Sequence, residues 1–197
     1  MFFQQSIRIL LSHHYKTDDS GKNPVTNFLK ISDNLTGELL VKKIGAVTDS
    51  SMGTWDNGLR AIKTFFQDEV GIDTTKMVLA DGSGVSRYNL ISASQIVQLL
   101  VWIHDNFQMY PEFASALPIG GSDGTLRNRL FAADVKTNTR AKTGTLQGVT
   151  ALSGYVVTTD NEILAFSILM RGYVGSPNKY RDLQDKIVTI LAGFSRF

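Results

Sequence analysis

The chain has 197 residues, 43% of them hydrophobic and 19% charged, enough for one sizeable core and for little more than one domain. No apolar run approaches the roughly 18 residues of a membrane span, and 20 Lys and Arg against 18 Asp and Glu, scattered along the chain for a formal charge of +2, are not the footprint of a nucleic-acid binder. The absence of cysteine excludes disulfides, thiolate metal sites and cysteine nucleophiles, and the three histidines, His13, His14 and His104, have no metal-ligand spacing.

Residues 1 to 30 carry few local signals. A short apolar run, Ile7, Ile9, Leu10 and Leu11, is broken by Arg8 and is compatible with one short strand; a polar, turn-rich stretch follows from Lys16 to Pro24. The start Met1-Phe2-Phe3 lacks the basic region and cleavage site of a secretory signal, so a signal is expected outside this chain if the protein is exported. From Asn34 the helical period predicts two helices, one with Leu35, Leu39, Leu40, Ile44 and Val47 on a stripe, the next with Leu59, Ile62, Phe65, Phe66 and Val70 and a stop at Gly71. Ser92 and Gln95 form a capping box before Ile96, Leu99, Leu100, Ile103 and Phe107, which predicts a third helix.

After Arg140 the texture becomes β-rich. Thr139 to Thr145, Val149 to Val157 and Ile163 to Leu169 are predicted to form an antiparallel meander, with Thr159-Asp160-Asn161 at its second turn. A closing helix is expected from Tyr180, Leu183, Ile187, Ile190, Leu191 and Phe194. Helices first, then strands, then one helix imply an α+β fold in which a helical cluster abuts a helix-covered antiparallel sheet. The expected organisation is a lead-in over 1–30, a mainly helical part over 31–138 and the sheet with its helix over 139–197, all in one domain.

Two triplets carry the candidate chemistry. By itself Ser32-Asp33-Asn34 reads as the N-cap of the helix from Leu35, and Lys142-Thr143-Gly144 as a strand end with a bulge glycine. As a pair, in this order, they are two of the three signatures of the serine β-lactamases and penicillin-binding proteins. Three further segments sharpen the match: Asp81-Gly82-Ser83-Gly84-Val85-Ser86-Arg87-Tyr88-Asn89, Leu117-Pro118-Ile119-Gly120-Gly121-Ser122-Asp123-Gly124-Thr125-Leu126, and Ala141-Lys142-Thr143-Gly144-Thr145-Leu146. From about Phe28 to its end the chain resembles the class C low-molecular-mass penicillin-binding proteins, D-alanyl-D-alanine carboxypeptidase/endopeptidases.

The resemblance implies a penicillin-binding-protein-like fold, incomplete at its N-terminus, whose missing region contributes strands to the sheet and the nucleophile's helix. Cleavage through an acyl-enzyme needs a serine nucleophile, a base, a proton path to the leaving amine, an oxyanion hole and a cation near the substrate's carboxylate. By resemblance, Lys142 supplies positive charge beside Ser32, whose hydroxyl relays a proton, and Asn34 hydrogen-bonds the substrate amide. Thr143 and Thr145 reach the carboxylate, the Thr145 N–H is an oxyanion-hole donor, and Gly144 lets the substrate backbone lie against the strand. The implied partners are peptidoglycan stem peptides, β-lactams and the missing N-terminal segment of the same protein. No metal or organic cofactor is implied, and the implied location is periplasmic or cell-wall-facing.

The chain departs from the pattern in one respect. The nucleophilic Ser-x-x-Lys, which belongs before Ser32, does not occur there, and the one match, Ser176-Pro177-Asn178-Lys179, reads as a helix start with Ser176 as N-cap. The nucleophile is therefore expected outside this chain, and the chain alone is expected to be inactive. Two alternatives stand beside the peptidase: a class A-like β-lactamase, if Glu69-Val70-Gly71-Ile72-Asp73 were the Glu-x-x-Leu-Asn loop that activates the deacylating water, and a non-catalytic binding remnant of the same fold.

Overall fold

The computed structural model describes residues 24–49 and 52–196; the apolar run at Ile7 to Leu11 lies outside the described residues. In chain order the elements are α1 (Pro24–Ile31), α2 (Asn34–Asp49), α3 (Trp55–Asp68), α4 (Ala93–Asp105), α5 (Tyr110–Ala116), β1 (Thr139–Leu146), β2 (Val149–Val157), β3 (Ile163–Arg171) and α6 (Asn178–Ala192). Among the described residues, 24–28 and those within 32–113 form one compact unit, and 29–31 with those from 114 onward form a second. The architecture is α+β, helices with an antiparallel sheet, and no helix among the described residues is long and apolar enough to cross a membrane.

In the first unit α2 and α3 pack through their small residues. The stripe of large side chains expected at Leu35 and Leu39 is turned outward, at 66% and 56% exposure, and the buried face of α2 is Gly37, Val41 and Gly45. The reason is close approach: a Cβ on Gly58 of α3 would lie 2.1 Å from the Val41 carbonyl oxygen, so only glycine admits the helix there. Thr54 caps α3 in a box with Asn57, and Gly71, with φ of +76°, turns the chain after it, as expected. Phe65, Val70, Ile72 and Met77 form the core of this unit, and Trp102 of α4 meets Phe65 edge-on at 5.2 Å between centroids. The expected capping box of α4 is present, with the Ser92 hydroxyl accepting from the Gln95 N–H at 3.2 Å and Gln95 Oε1 accepting from the Ser92 N–H at 2.9 Å. Phe107, counted on that stripe, falls beyond the helix end and is exposed.

In the second unit the sheet order is β1-β2-β3, and the ladder runs unbroken from Thr139↔Val156 to Leu146↔Val149. The bulge that Gly144 could have marked is absent, since Gly144 pairs directly with Ala151. α6 covers one face of the sheet: Val188 and Ala192 join Ala141, Leu152, Val156 and Phe166 in the core, and Gln184 on the same helix is also buried. Leu183 and Ile190, expected on that stripe, are exposed. α6 begins at Asn178 with Pro177 in the N-cap position and no side-chain cap there; Ser176 acts from one residue upstream, its hydroxyl accepting from the Asn178 N–H at 3.3 Å. The N-cap expected at Ser176 is corrected accordingly: proline at 177 has a helix-compatible φ and takes the cap position itself.

This difference is measurable. Ser92→Ala should cost about 1 kcal/mol of stability, the usual loss for a true N-cap, whereas Ser176→Ala, exposed and outside the cap position, should cost no more than a few tenths. Urea denaturation of the two variants against the wild type checks the contrast.

Candidate active site

The turn between α1 and α2 carries the first triplet. Ser32 has φ of +61°, a left-handed conformation uncommon outside glycine and costly enough to need support from its surroundings. The cap of α2 is Asp33: its Oδ2 accepts the Thr36 N–H at 3.0 Å and the Thr36 hydroxyl, and these bonds hold the carboxyl below the usual range. The capping role open to Ser32 is thus taken by its neighbour. Asn34 is the first residue of α2 and is exposed.

One turn into α2, Glu38 ties down the glycine-rich loop after Leu79. Its carboxylate accepts the Gly82 and Ser83 N–H groups, each at 3.1 Å, and the Trp55 Nε1–H at 2.8 Å. Burial pushes this carboxyl up, and the hydrogen bonds from Ser83, Gly82 and Trp55 outweigh it and leave it lowered. Within the loop Asp81 does the same locally, accepting from the Gly84 and Ser86 N–H groups and from Asn89 Nδ2 at 2.6 to 2.8 Å. The sequence marks this loop by its resemblance alone and does not show that the two carboxylates are its anchors.

The second triplet lies on β1, whose geometry assigns each group a direction. The Ala141 N–H donates to the Pro118 carbonyl at 3.0 Å, on the side away from β2. Since backbone groups alternate along a strand, the Thr143 and Thr145 N–H groups point the same way, off the outer edge. Side chains alternate too: Thr143 and Thr145 share a face with Ala141 and Leu152, the α6 side, while Lys142 stands on the other face opposite Ser153. Lys142 Nζ donates to the Thr143 carbonyl at 2.7 Å, and burial lowers its pKa from the ordinary 10.5 to about 8. A Cβ on Gly144 would meet only the Ala151 Cβ, at an ordinary 3.5 Å, so no described neighbour requires glycine there.

Four supporting residues had no role assigned from the sequence, although Gly124 and Thr125 lie in the segment that carries the resemblance. Lys30, two positions before Ser32, donates to the Leu117 carbonyl and to Asp123 Oδ2, both at 2.6 Å. Gly124 follows with φ of +54°, and a Cβ there would lie 2.5 Å from the Lys30 carbonyl oxygen. Next to it Thr125 accepts the Thr143 hydroxyl at 2.8 Å. At the far end of β1, Arg181 of α6 donates to Thr145 Oγ1 at 3.1 Å. The segment from Leu117 to Leu126 was legible as a motif; that it holds β1 by a side-chain bond was not, because hydroxyl pairing leaves no periodic signal.

Ser32 and Asn34 belong to the first unit and Lys142 to Thr145 to the second. Glu69, the candidate deacylating base, is the C-terminal cap residue of α3, its N–H donating to the Phe65 carbonyl at 3.0 Å.

The model of the D-Ala-D-Ala carboxypeptidase 3 (S13) family matches residues 21–194. The chain belongs to this family. It is 39% identical over 173 residues to a D-alanyl-D-alanine carboxypeptidase of Actinomadura sp. (strain R39), covering 85% of this chain and 31% of that protein. It is 32% identical over 147 residues to the D-alanyl-D-alanine carboxypeptidase DacB of Haemophilus influenzae, covering 74% and 30%. Among solved structures, penicillin binding protein 4 (dacB) from Haemophilus influenzae superposes with a TM-score of 0.81 at 27% identity, over 87% of this chain and 39% of that one. The chain thus spans about a third of the length of the S13 relatives it matches. Carboxypeptidase and penicillin-binding protein are the terms of this family, and its α+β fold is the one described above.

Two measurements test the site's physics in this S13 chain. The folded state releases the Lys142 proton near pH 8 while the unfolded chain holds it to about 10.5, so the unfolded state binds more protons between these values and folding stability should rise with pH across that window. Relative to Lys142→Met, the wild type should gain stability between pH 8 and 10.5 in urea denaturation and show a constant difference below pH 7. Separately, Lys30→Met should cost roughly 1–3 kcal/mol, because it removes a charged donor from a partly buried carboxylate, and Lys30→Arg should recover part of it; melting curves of both variants decide.

Proposed function

We propose that the full-length protein containing this chain is a serine-type D-Ala-D-Ala carboxypeptidase/endopeptidase. It acts on peptidoglycan stem peptides, is acylated by β-lactams and works in the periplasm or facing the cell wall. The observation that carries this is the outer edge of β1: Lys142, Thr143, Gly144 and Thr145 lie on an unbroken strand whose Thr143 and Thr145 N–H groups are directed away from the sheet. An outward N–H at Thr145 is what an oxyanion hole requires, and a glycine that no described neighbour demands leaves room for substrate backbone beside the strand.

This reading assigns Ser32, Asn34, Lys142 and Thr143 to the chemistry of one transpeptidase-like domain. Lys142, its pKa lowered by burial, sits within the range where a lysine exchanges protons during turnover, and Ser32 relays the proton to the leaving amine. Asn34, at the start of α2, binds the substrate amide, and Thr143 and Thr145 bind the carboxylate. The nucleophilic Ser-x-x-Lys comes from sequence outside residues 1–197, since none precedes Ser32 here and the chain matches about a third of its relatives. That absent segment is the chain's expected partner. The β-lactam complex known for the Haemophilus influenzae penicillin binding protein 4 supports acylation by this class of compound.

The test is covalent labelling. Incubated with benzylpenicillin, the full-length protein should gain one acyl adduct by intact-mass spectrometry, and residues 1–197 alone should gain none. Ser32→Ala and Lys142→Met in the full-length protein should each slow acylation by about a hundred-fold or more, the usual share of a proton-transfer group. An adduct on the isolated chain, Ser176 included, or no adduct on the full-length protein, would overturn the assignment.

A further inference from the structure

Hydrolysis at a D-Ala-D-Ala terminus, the function proposed above and the premise on which the role of Arg181 rests, presents the site with an anion one residue beyond the scissile amide. Lys142 is poorly placed to receive it at Thr145. The two side chains stand on opposite faces of β1, and the Lys142 ammonium donates to the Thr143 carbonyl. The cation at the Thr145 hydroxyl is a different one: Arg181, whose Nη2 lies 3.1 Å from Thr145 Oγ1. We propose that Arg181, acting with the Thr145 hydroxyl, recognises the free carboxylate of the substrate and sets the preference for a carboxylate-bearing leaving group.

Three features of the second unit carry this. Among the described residues no carboxylate forms an ion pair with Arg181, whereas Arg129 is engaged by Asp185, by Gln184 Oε1 and by the Arg181 carbonyl. Arg129 therefore fixes the backbone of Arg181 and leaves its guanidinium to the strand end. Next, Thr145 Oγ1 accepts from Arg181, so the hydroxyl proton remains to be donated and both groups offer donors at one place. A carboxylate, which only accepts, matches that pair, and the planar guanidinium can grip it with two parallel bonds. Finally, Lys179 and Arg181 occupy the first turn of α6, which has no acidic residue, although the helix dipole disfavours cations there. A cation kept at an unfavourable position for the helix is accounted for by a ligand.

The experiment measures kcat and KM of the full-length protein on an acyl-D-Ala-D-Ala peptide and on the same peptide with its C-terminus amidated. Arg181→Gln should raise KM for the free acid about ten-fold or more, the loss of one charge-assisted contact, leave kcat within about three-fold, and lower the acid-over-amide preference by the same ten-fold. Arg181→Lys, keeping the charge without the fork, should lower the preference by about three-fold. It also serves as the deciding variant if a lowered Tm shows that Arg181→Gln is misfolded. A preference unchanged in a folded variant, with an active wild type, overturns the role of Arg181 and leaves the peptidase assignment standing. A wild type that neither hydrolyses the free acid nor takes up benzylpenicillin overturns both.

Discussion

The one-sided pairing of β1 is the constraint on which the candidate site depends. β1 is bonded along its whole length to β2, and on its other side, among the described residues, backbone partners reach its first half, where Pro118 accepts from Ala141 and Gly120 donates to the Thr139 carbonyl. Beyond that point the outer edge carries backbone donors with no described strand beside them. An edge of this kind is a hazard in most sheets because it templates further pairing. Here it coincides with Lys142-Thr143-Gly144-Thr145, so the feature that would be a liability elsewhere is where an extended peptide can be held by main-chain bonds.

Beyond the apolar core under the sheet, the second unit braces this strand with charged side chains. Lys30 is 18% exposed in its side chain and shared between a carbonyl and the Asp123 carboxylate, and the loop it holds delivers Thr125 to the Thr143 hydroxyl. On the opposite flank Arg129 bridges the same stretch of chain to Asp185 and Gln184 of α6. Partly buried charges of this sort add little stability relative to a well-packed apolar alternative, but they have one good geometry, and losing one partner strands the other. They suit a region in which a strand and its neighbouring loop must keep fixed positions.

The first unit uses the same device with carboxylates. Glu38 and Asp81 gather N–H groups of a loop that has almost no regular hydrogen bonding of its own, so the loop between Ala80 and Leu90 is held in shape by two side chains. Asp33 caps α2 and so settles which residue of the triplet serves the helix; Ser32, in a strained left-handed conformation, is left as the residue whose backbone the helix junction does not explain.

Much of this was legible in one dimension. Alternation and turn residues located all three strands to within two residues, because a strand with one covered face must alternate; the Ser92 capping box marked its helix because both partners lie within four residues of one another. The order of the two triplets, with the glycine-rich segments, pointed to the D-alanyl-D-alanine carboxypeptidase/endopeptidases among the penicillin-binding proteins, and the matching family is the D-Ala-D-Ala carboxypeptidase 3 (S13) family. Which helix faces are buried was decided only in three dimensions: α2 turns Gly37, Val41 and Gly45 inward, and α6 turns in Gln184, Val188 and Ala192, leaving larger residues such as Leu35, Leu39 and Ile190 outside. Hydrophobic periodicity weights large side chains, whereas the closest helix contacts select small ones, and that choice depends on a partner the local sequence does not contain. The same holds for Lys30 with Asp123 and Arg181 with Thr145, pairs 93 and 36 residues apart. Local patterns determined the elements and the motif; only the folded chain could bring such distant groups within hydrogen-bonding distance.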